Sequence, residues 1–258
     1  MSTFSPEQII DSFWRHRQEG VHFPPEWYDA LTLDQAYLVQ LGVLDRLLAE
    51  GAQQAGWKVG LTSQAIRGQF RVQEPVFGYV LGSVVHADGV TLAFDQLTRP
   101  AFENEICMTL ASGLTGPGVD EAQALAAVAS LHPALEIVEH RGPFTEQLAV
   151  ALADNVQQKG VVLGPETRPV PPALDLTTIG VEVSINGVRA AEGVSAAVMG
   201  SPICSLVWLA DKLAQYGRRL EPGQLIMTGS LTQQFPVSQG DVVSASFTVL
   251  GGVTASFL

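Results

Sequence analysis

Cysteine is almost missing from this chain of 258 residues: Cys107 and Cys204 are the only two. That excludes a disulfide scaffold and a Cys-cluster metal site, and it fits a reducing compartment. Positive charge is also scarce. Fourteen Lys and Arg face 26 Asp and Glu, for a net charge of −12. Such a chain should repel nucleic-acid backbones and anionic membrane surfaces. No apolar run reaches the ~20 residues of a transmembrane helix. The first twenty residues carry charge too often for a signal-peptide core. The expectation is a cytoplasmic protein with no membrane or nucleic-acid partner. Several catalytic signatures are absent as well: GxSxG, the P-loop, the Rossmann fingerprint and HExxH. The composition, 47% hydrophobic and 16% charged, excludes a disordered chain and allows a sizeable core.

What is present begins with two helices. Ser5-Pro6-Glu7 offers an N-cap, a proline at the first helical position and an acidic first turn. Ile9, Ile10, Phe13 and Trp14 then share a face. Thr32 to Gln35 has the form of a capping box. It opens an apolar stripe of Tyr37, Leu41, Leu44 and Leu48, widened by Leu47, with Gly51 as the stop. From Trp57 the texture changes to short apolar runs between Gly, Pro and Asp. Strands are predicted at 58–61, 78–81, 90–93, 105–110, 134–138, 160–163, 180–185 and 225–228. Helices are predicted from Val119 through Ala129 and over 202–216. The tail, 242–258, reads as a closing hairpin around Gly251-Gly252. Strands and helices do not alternate regularly, which argues against a doubly wound sheet. The reading is an α+β chain, with a helical N-terminal region over 1–72 and a β-rich core over 73–258.

The sharpest chemical feature is Glu103 and Glu105 inside an apolar segment. On a strand these positions share one face. Adjacent like charges repel, and a hard divalent cation removes the repulsion. The plainer alternative is two solvated acids on an edge strand. Glu136, central in the apolar run 134–138, is a third candidate, because a lone charge in a short strand needs a partner. Glu139 should point the other way. Lys58 is one of three lysines and lies in an apolar strand. Beside a metal it would hold an anion or move a proton; otherwise it snorkels at a strand edge. Gly229-Ser230 ends a strand, a good place for backbone donors. Asp154-Asn155, taken alone, reads as a cap.

Together these segments resemble the fumarylacetoacetate hydrolase superfamily, in its hydratase and decarboxylase branch of aromatic meta-cleavage catabolism. The segments are GWKVGLTS at 56–63, EPVFG at 74–78, Glu103-x-Glu105, ALEIVEHR at 134–141 and ADN at 153–155. GVSAAVMGSP at 193–202, WLADKLA at 208–214, MTGSLT at 227–232 and PVSQGD at 236–241 complete the set. The resemblance implies a mixed β-roll core with a helical N-terminal region, assembled as a homo-oligomer and, in a wider form, complexed with a pathway neighbour. It implies Mg²⁺ or Mn²⁺ on Glu103, Glu105 and Glu136. It places Lys58, Glu74 and Asp154 in catalysis, and Leu61, Thr62, Ser63, Arg141, Gly229 and Ser230 around a small 2-oxo acid.

The implied activity is that of a metal-dependent lyase on short 2-oxo-enoates or 2-hydroxydienoates. A hydratase of the 2-oxopent-4-enoate type and a decarboxylase of the 4-oxalocrotonate type stand close to even. Val76 occupies a position where hydratases of the branch carry Asp, and it leans toward decarboxylation. Ala101 stands where relatives carry Arg or Lys, and Ser201 and Asp211 stand where Asn is common. The alternatives are a C–C hydrolase of an acylpyruvate or β-diketone, and an inactive metal-binding partner subunit.

Overall fold

The computed structural model describes residues 4–70 and 72–258. The first three residues of the N-terminal reading, and Arg71 near its boundary, lie outside them. The helical region holds α1 (Pro6–Gln18) and α2 (Leu33–Ala49). Both start with a complete capping box, Ser5 with Gln8 and Thr32 with Gln35. The strands and helices that follow are β1 (Gln54–Gly60), α3 (Gln64–Phe70), β2 (Val76–Leu81), β3 (Val85–Ala87), β4 (Val90–Leu92) and β5 (Pro100–Leu110). Next come α4 (Glu121–Ala126), β6 (Val128–Glu139), α5 (Leu148–Ala153), β7 (Gln158–Leu163), β8 (Gly180–Ile185) and β9 (Val188–Val194). The last are α6 (Pro202–Ala214), β10 (Leu225–Ser230), β11 (Phe235–Pro236), β12 (Val242–Phe247) and β13 (Gly251–Phe257).

Two mixed sheets result. The larger has the order β2-β1-β10-β5-β6-β7-β3, with β11 added to β5; the smaller runs β4-β13-β12-β8-β9. Strand β1 lies in the first 72 residues, yet it pairs with β2 and β10 in the larger sheet. The centre of that sheet is the long antiparallel pair β5 and β6, in register from Pro100 opposite Glu139. These strands are buried on both faces, so they read as nearly continuous apolar runs.

The helical cap is tied to this sheet by a buried polar clasp. Gln40 of α2 donates through Nε2 to the carbonyls of Phe77, at 3.0 Å, and Leu152, at 2.8 Å. Tyr37 stacks on Phe77 with ring centroids 4.4 Å apart. A glycine lets the two helices approach closely: a Cβ on Gly42 would lie 2.4 Å from Ile10 Cδ1.

Several sequence expectations need correction. The helix predicted through Ala129 stops at Ala126, because Val128 already pairs with Leu110 and the strand run outweighs alanine's helix preference. The helix predicted to Tyr216 ends at Ala214. The closing hairpin is present, but its turn lies over 248–250, where Val249 has φ 64°. Gly251 and Gly252 instead pair with Phe247 and Ser246. Leu48 is exposed, not part of the buried stripe. Ser195–Ala214 is long and apolar enough to cross a membrane. It is not one continuous helix, because Met199 and Gly200 adopt φ of 51° and 86°. Its α6 part buries Ile203, Leu206, Leu209 and Leu213 in the core.

Candidate metal centre and active site

Strand alternation sets Glu103 and Glu105 on one face of β5, and the register puts Glu136 directly opposite Glu103. Ligand oxygens from the three lie within 4.8 Å of one another. Glu105 and Glu136 are wholly buried and Glu103 is partly buried. Glu105 Oε2 accepts the Gly229 N–H at 2.8 Å. Gly229 has φ +110°, and a Cβ there would lie 2.4 Å from Thr62 Cγ2. The site therefore requires glycine at this position, for its backbone shape and for the close approach. Gln234 Nε2 donates to Glu103 Oε1 at 3.3 Å.

Charge is unbalanced here. Lys58, on β1, is the cation within reach, with Nζ 3.2 Å from Glu136 Oε2. Burial, with Glu136 and Glu103 beside it, raises Glu105 well above the carboxylate range. Burial also pushes Glu136 up to about 7, with Lys58 opposing the shift and Glu103 adding to it. Burial alone would lower Lys58, but Glu136, Glu103 and Glu105 outweigh it and hold the ammonium above its usual range. Oε1 of Glu105 and Oε1 of Glu136 are buried without a hydrogen bond. Buried carboxylate oxygens with no donor fit a hard divalent cation, which takes oxygen ligands and removes the mutual repulsion.

Of the trio, Glu103 lines a cavity of about 410 Å³, in the size range of small-molecule sites. Of the residues singled out from sequence, Lys58, Leu61, Thr62, Ser63, Glu103 and Ser230 line it. Gly229 does not line it; its N–H is given to Glu105. Sequence reasoning missed Val138, Phe144, Val156, Gln157 and the glutamines at 233 and 234, and it left His140 without a role. Val76 is buried opposite Gly60, on the Lys58 face of the sheet. Ala101 is buried opposite Val138, on the Glu103 face. Asp211 accepts the Gly118 and Val119 N–H groups, and Ser201 caps α6. A wider groove of about 650 Å³ on the smaller sheet includes Glu182, Arg189 and Glu192, and no acidic cluster lies there among the described residues.

Three predicted residues lie elsewhere. Glu74 precedes β2 and pairs with Lys212 at 2.6 Å; it does not line the cavity. Glu139 faces away from Glu136, and Arg141 and Asp154 gather with it around a separate cavity of about 190 Å³. Arg141 donates through Nε to Asp154 Oδ2 at 2.6 Å, through Nη2 to the Asp154 carbonyl at 2.8 Å, and through Nη1 to Glu139 Oε2 at 3.1 Å. Directly after Asp154 the backbone turns left-handed for three residues. Asn155, Val156 and Gln157 have φ of 58°, 52° and 60°. For non-glycine residues this costs roughly 1–2 kcal/mol each, and a β-branched valine is a clear outlier. Asn155 holds the turn to β2, accepting the Tyr79 N–H at 2.8 Å and donating to the Tyr79 carbonyl at 2.9 Å.

Residues 58–257 match the model of the fumarylacetoacetate hydrolase C-terminal family. The chain is 34% identical over 239 residues to the 2-oxo-hept-4-ene-1,7-dioate hydratase of Escherichia coli, covering 90% of this chain and 89% of that protein. It is 34% identical over 232 residues to the 4-oxalocrotonate decarboxylase of Pseudomonas sp. strain CF600, covering 90% and 88%. Among solved structures, 4-oxalocrotonate decarboxylase from Pseudomonas putida G7, complexed with magnesium and adipate, superposes with a TM-score of 0.92. That protein is 29% identical, with all of both chains covered.

Proposed function

The chain belongs to the fumarylacetoacetate hydrolase family, and on that premise we propose that it is a divalent-metal-dependent lyase of short 2-oxo-enoates, decarboxylating a 2-oxo-enedioate of aromatic meta-cleavage catabolism. The observation that carries the reading is the convergence of Glu103, Glu105 and Glu136 beside Lys58, with Glu103 and Lys58 lining one cavity. In this reading the three carboxylates hold Mg²⁺ or Mn²⁺. The ion, when bound, supplies a Lewis acid that draws electrons toward the keto group of a chelating 2-oxo acid.

The chain's own residues do the rest. Thr62, Ser63 and Ser230 offer hydroxyls to the 2-oxo acid end. Leu61, Val138, Phe144 and Val156 exclude water from the conjugated chain. The bond to the terminal carboxylate breaks, carbon dioxide leaves, and the electron pair enters the conjugated 2-oxo system. Lys58 holds the proton that the resulting dienolate takes up at carbon. Arg141 and Asp154 act from outside the cavity, by fixing the turn that carries Val156. Glu74, held by Lys212, takes no part. We place the enzyme in the cytoplasm on its composition, and as a homo-oligomer because the family resemblance implies it. Val76 favours decarboxylation, since an apolar side chain at this position, opposite Gly60, supplies no acid to direct a water. A hydratase is the second reading, supported by His140 in the cavity, which is a candidate base for water, and by the equal identity to a hydratase.

The test is to strip the protein of metal, add Mg²⁺, and offer 2-oxohex-3-enedioate and 2-hydroxypenta-2,4-dienoate separately. Carbon dioxide from the dioate alone is expected. Conversion of the dienoate to a 4-hydroxy-2-oxo acid would make the enzyme a hydratase. Silence with both would overturn the lyase. Lys58→Met should lower turnover more than roughly 100-fold while Mn²⁺ still binds.

A further inference from the structure

Asn104 sits between Glu103 and Glu105 on β5, and strand alternation turns its side chain to the opposite face. Its neighbours on that face, Phe102 and Ile106, are wholly buried, and so is Asn104 itself. A buried amide is costly unless its hydrogen bonds are made. This one is half satisfied: Nδ2 donates to Thr232 Oγ1, while Oδ1 is buried without a partner. An aliphatic side chain would spare the core that cost. What the amide adds is a hold on the loop after β10, and local rules are broken in this way at functional sites.

That loop grips the edge of β5 from both faces. On the glutamate face, Gly229 donates its N–H to Glu105, and Gln234 Nε2 donates to Glu103. On the other face, Thr232 meets the Asn104 amide. Between them the Leu231 N–H and Ser230 Oγ donate to the Asn104 carbonyl, at 3.0 and 3.4 Å. Thr232 Oγ1 in turn donates to the Gln233 carbonyl at 3.1 Å, so one chain of hydrogen bonds runs from the core to the cavity wall. We infer that Asn104 is a positioning residue for the substrate: acting through Thr232, it fixes the loop that presents Ser230 and Gln234 to the cavity, and it leaves the hold on the ion to the glutamates beside it. This rests on the metal-bound 2-oxo acid reading above. The division follows from the strand. The ligand carboxylates leave β5 on one face and the loop is pinned from the other, beyond the Gly229 N–H that Glu105 accepts.

Two calorimetric titrations test this: 2-oxoadipate into the Mg²⁺-loaded protein, and Mn²⁺ into the metal-stripped protein. Asn104→Leu should bind 2-oxoadipate roughly 10-fold more weakly, the effect of one hydrogen bond, and Mn²⁺ as tightly as wild type. Thr232→Val keeps the side-chain shape and removes the hydroxyl, and it should show the same split. Thr232→Ser keeps the hydroxyl and should bind both ligands as wild type does. The double variant Asn104→Leu, Thr232→Val should be no weaker than either single one, because both remove the same bond. Should Asn104→Leu fail to fold, the contrast between Val and Ser at 232 decides alone. Weakening of both ligands together, as a merely structural role requires, would overturn the inference and leave the 2-oxo acid reading in place. So would 2-oxoadipate binding that none of these substitutions changes. Failure of the Mg²⁺-loaded wild type to bind 2-oxoadipate would overturn both.

Discussion

Two buried glutamates beside a third are expensive residues to keep, since each desolvated ion costs several kcal/mol, roughly, before it is paired. One ammonium, Lys58, cannot balance three carboxylates. The trio therefore makes sense as a site whose counter-charge arrives from outside. On the other face Glu139 is fully compensated. Burial alone would raise its carboxyl, but the Thr98 N–H, Lys159 and Arg141 outweigh that and hold it below its usual 4.5. A carboxyl depressed in the folded state adds stability above its unfolded pKa, and this is lost as the pH falls through the folded value. Glu139→Gln should therefore be less stable than wild type at pH 7, and the gap should close as the pH falls from the ordinary carboxylate range through the lower folded value. Urea midpoints across that range check it; a gap independent of pH would count against the assignment.

At the scale of elements, the paired strands β5 and β6 set the site. Their contribution was legible, because Glu-x-Glu within a strand leaves one choice of face, and an apolar run around Glu136 supplies the partner. Other parts were not legible. Nothing local in Asn155-Val156-Gln157 signals three left-handed residues, since the conformation is imposed by Arg141 and by Tyr79, 76 residues away from Asn155. Glu74 looked close to the site in sequence, but its partner Lys212 is 138 residues away and draws it elsewhere. The loop after β10 carries its own constraint. Gly229→Ala would press a methyl on Thr62 at a φ that alanine avoids. It should cost about 1–3 kcal/mol, read as a lower urea midpoint, and weaken metal binding by disturbing the donor to Glu105. An unchanged midpoint would show that the loop relaxes freely.

For the whole molecule, the α+β class and the helical cap followed from periodicity and capping signals, because those act within a few residues. The order of strands across two sheets did not follow, because it depends on long-range pairing such as β1 beside β10. The buried Gln40 clasp between cap and sheet was equally hidden, as its acceptors Phe77 and Leu152 come from distant segments. The fold closes around an acidic centre that folding alone leaves uncompensated. A metal that binds only the folded chain should then stabilise all of it, by about 2.7 kcal/mol at 100 times its dissociation constant. The most direct test is a Mn²⁺ titration of the metal-stripped protein, reading the free ion by electron paramagnetic resonance, with wild type and Glu105→Gln in parallel. One ion should bind per wild-type chain, and binding should be weaker by about 100-fold or more in the variant, with an unchanged far-ultraviolet spectrum. Equal binding by both proteins, or none by the wild type, would contradict it.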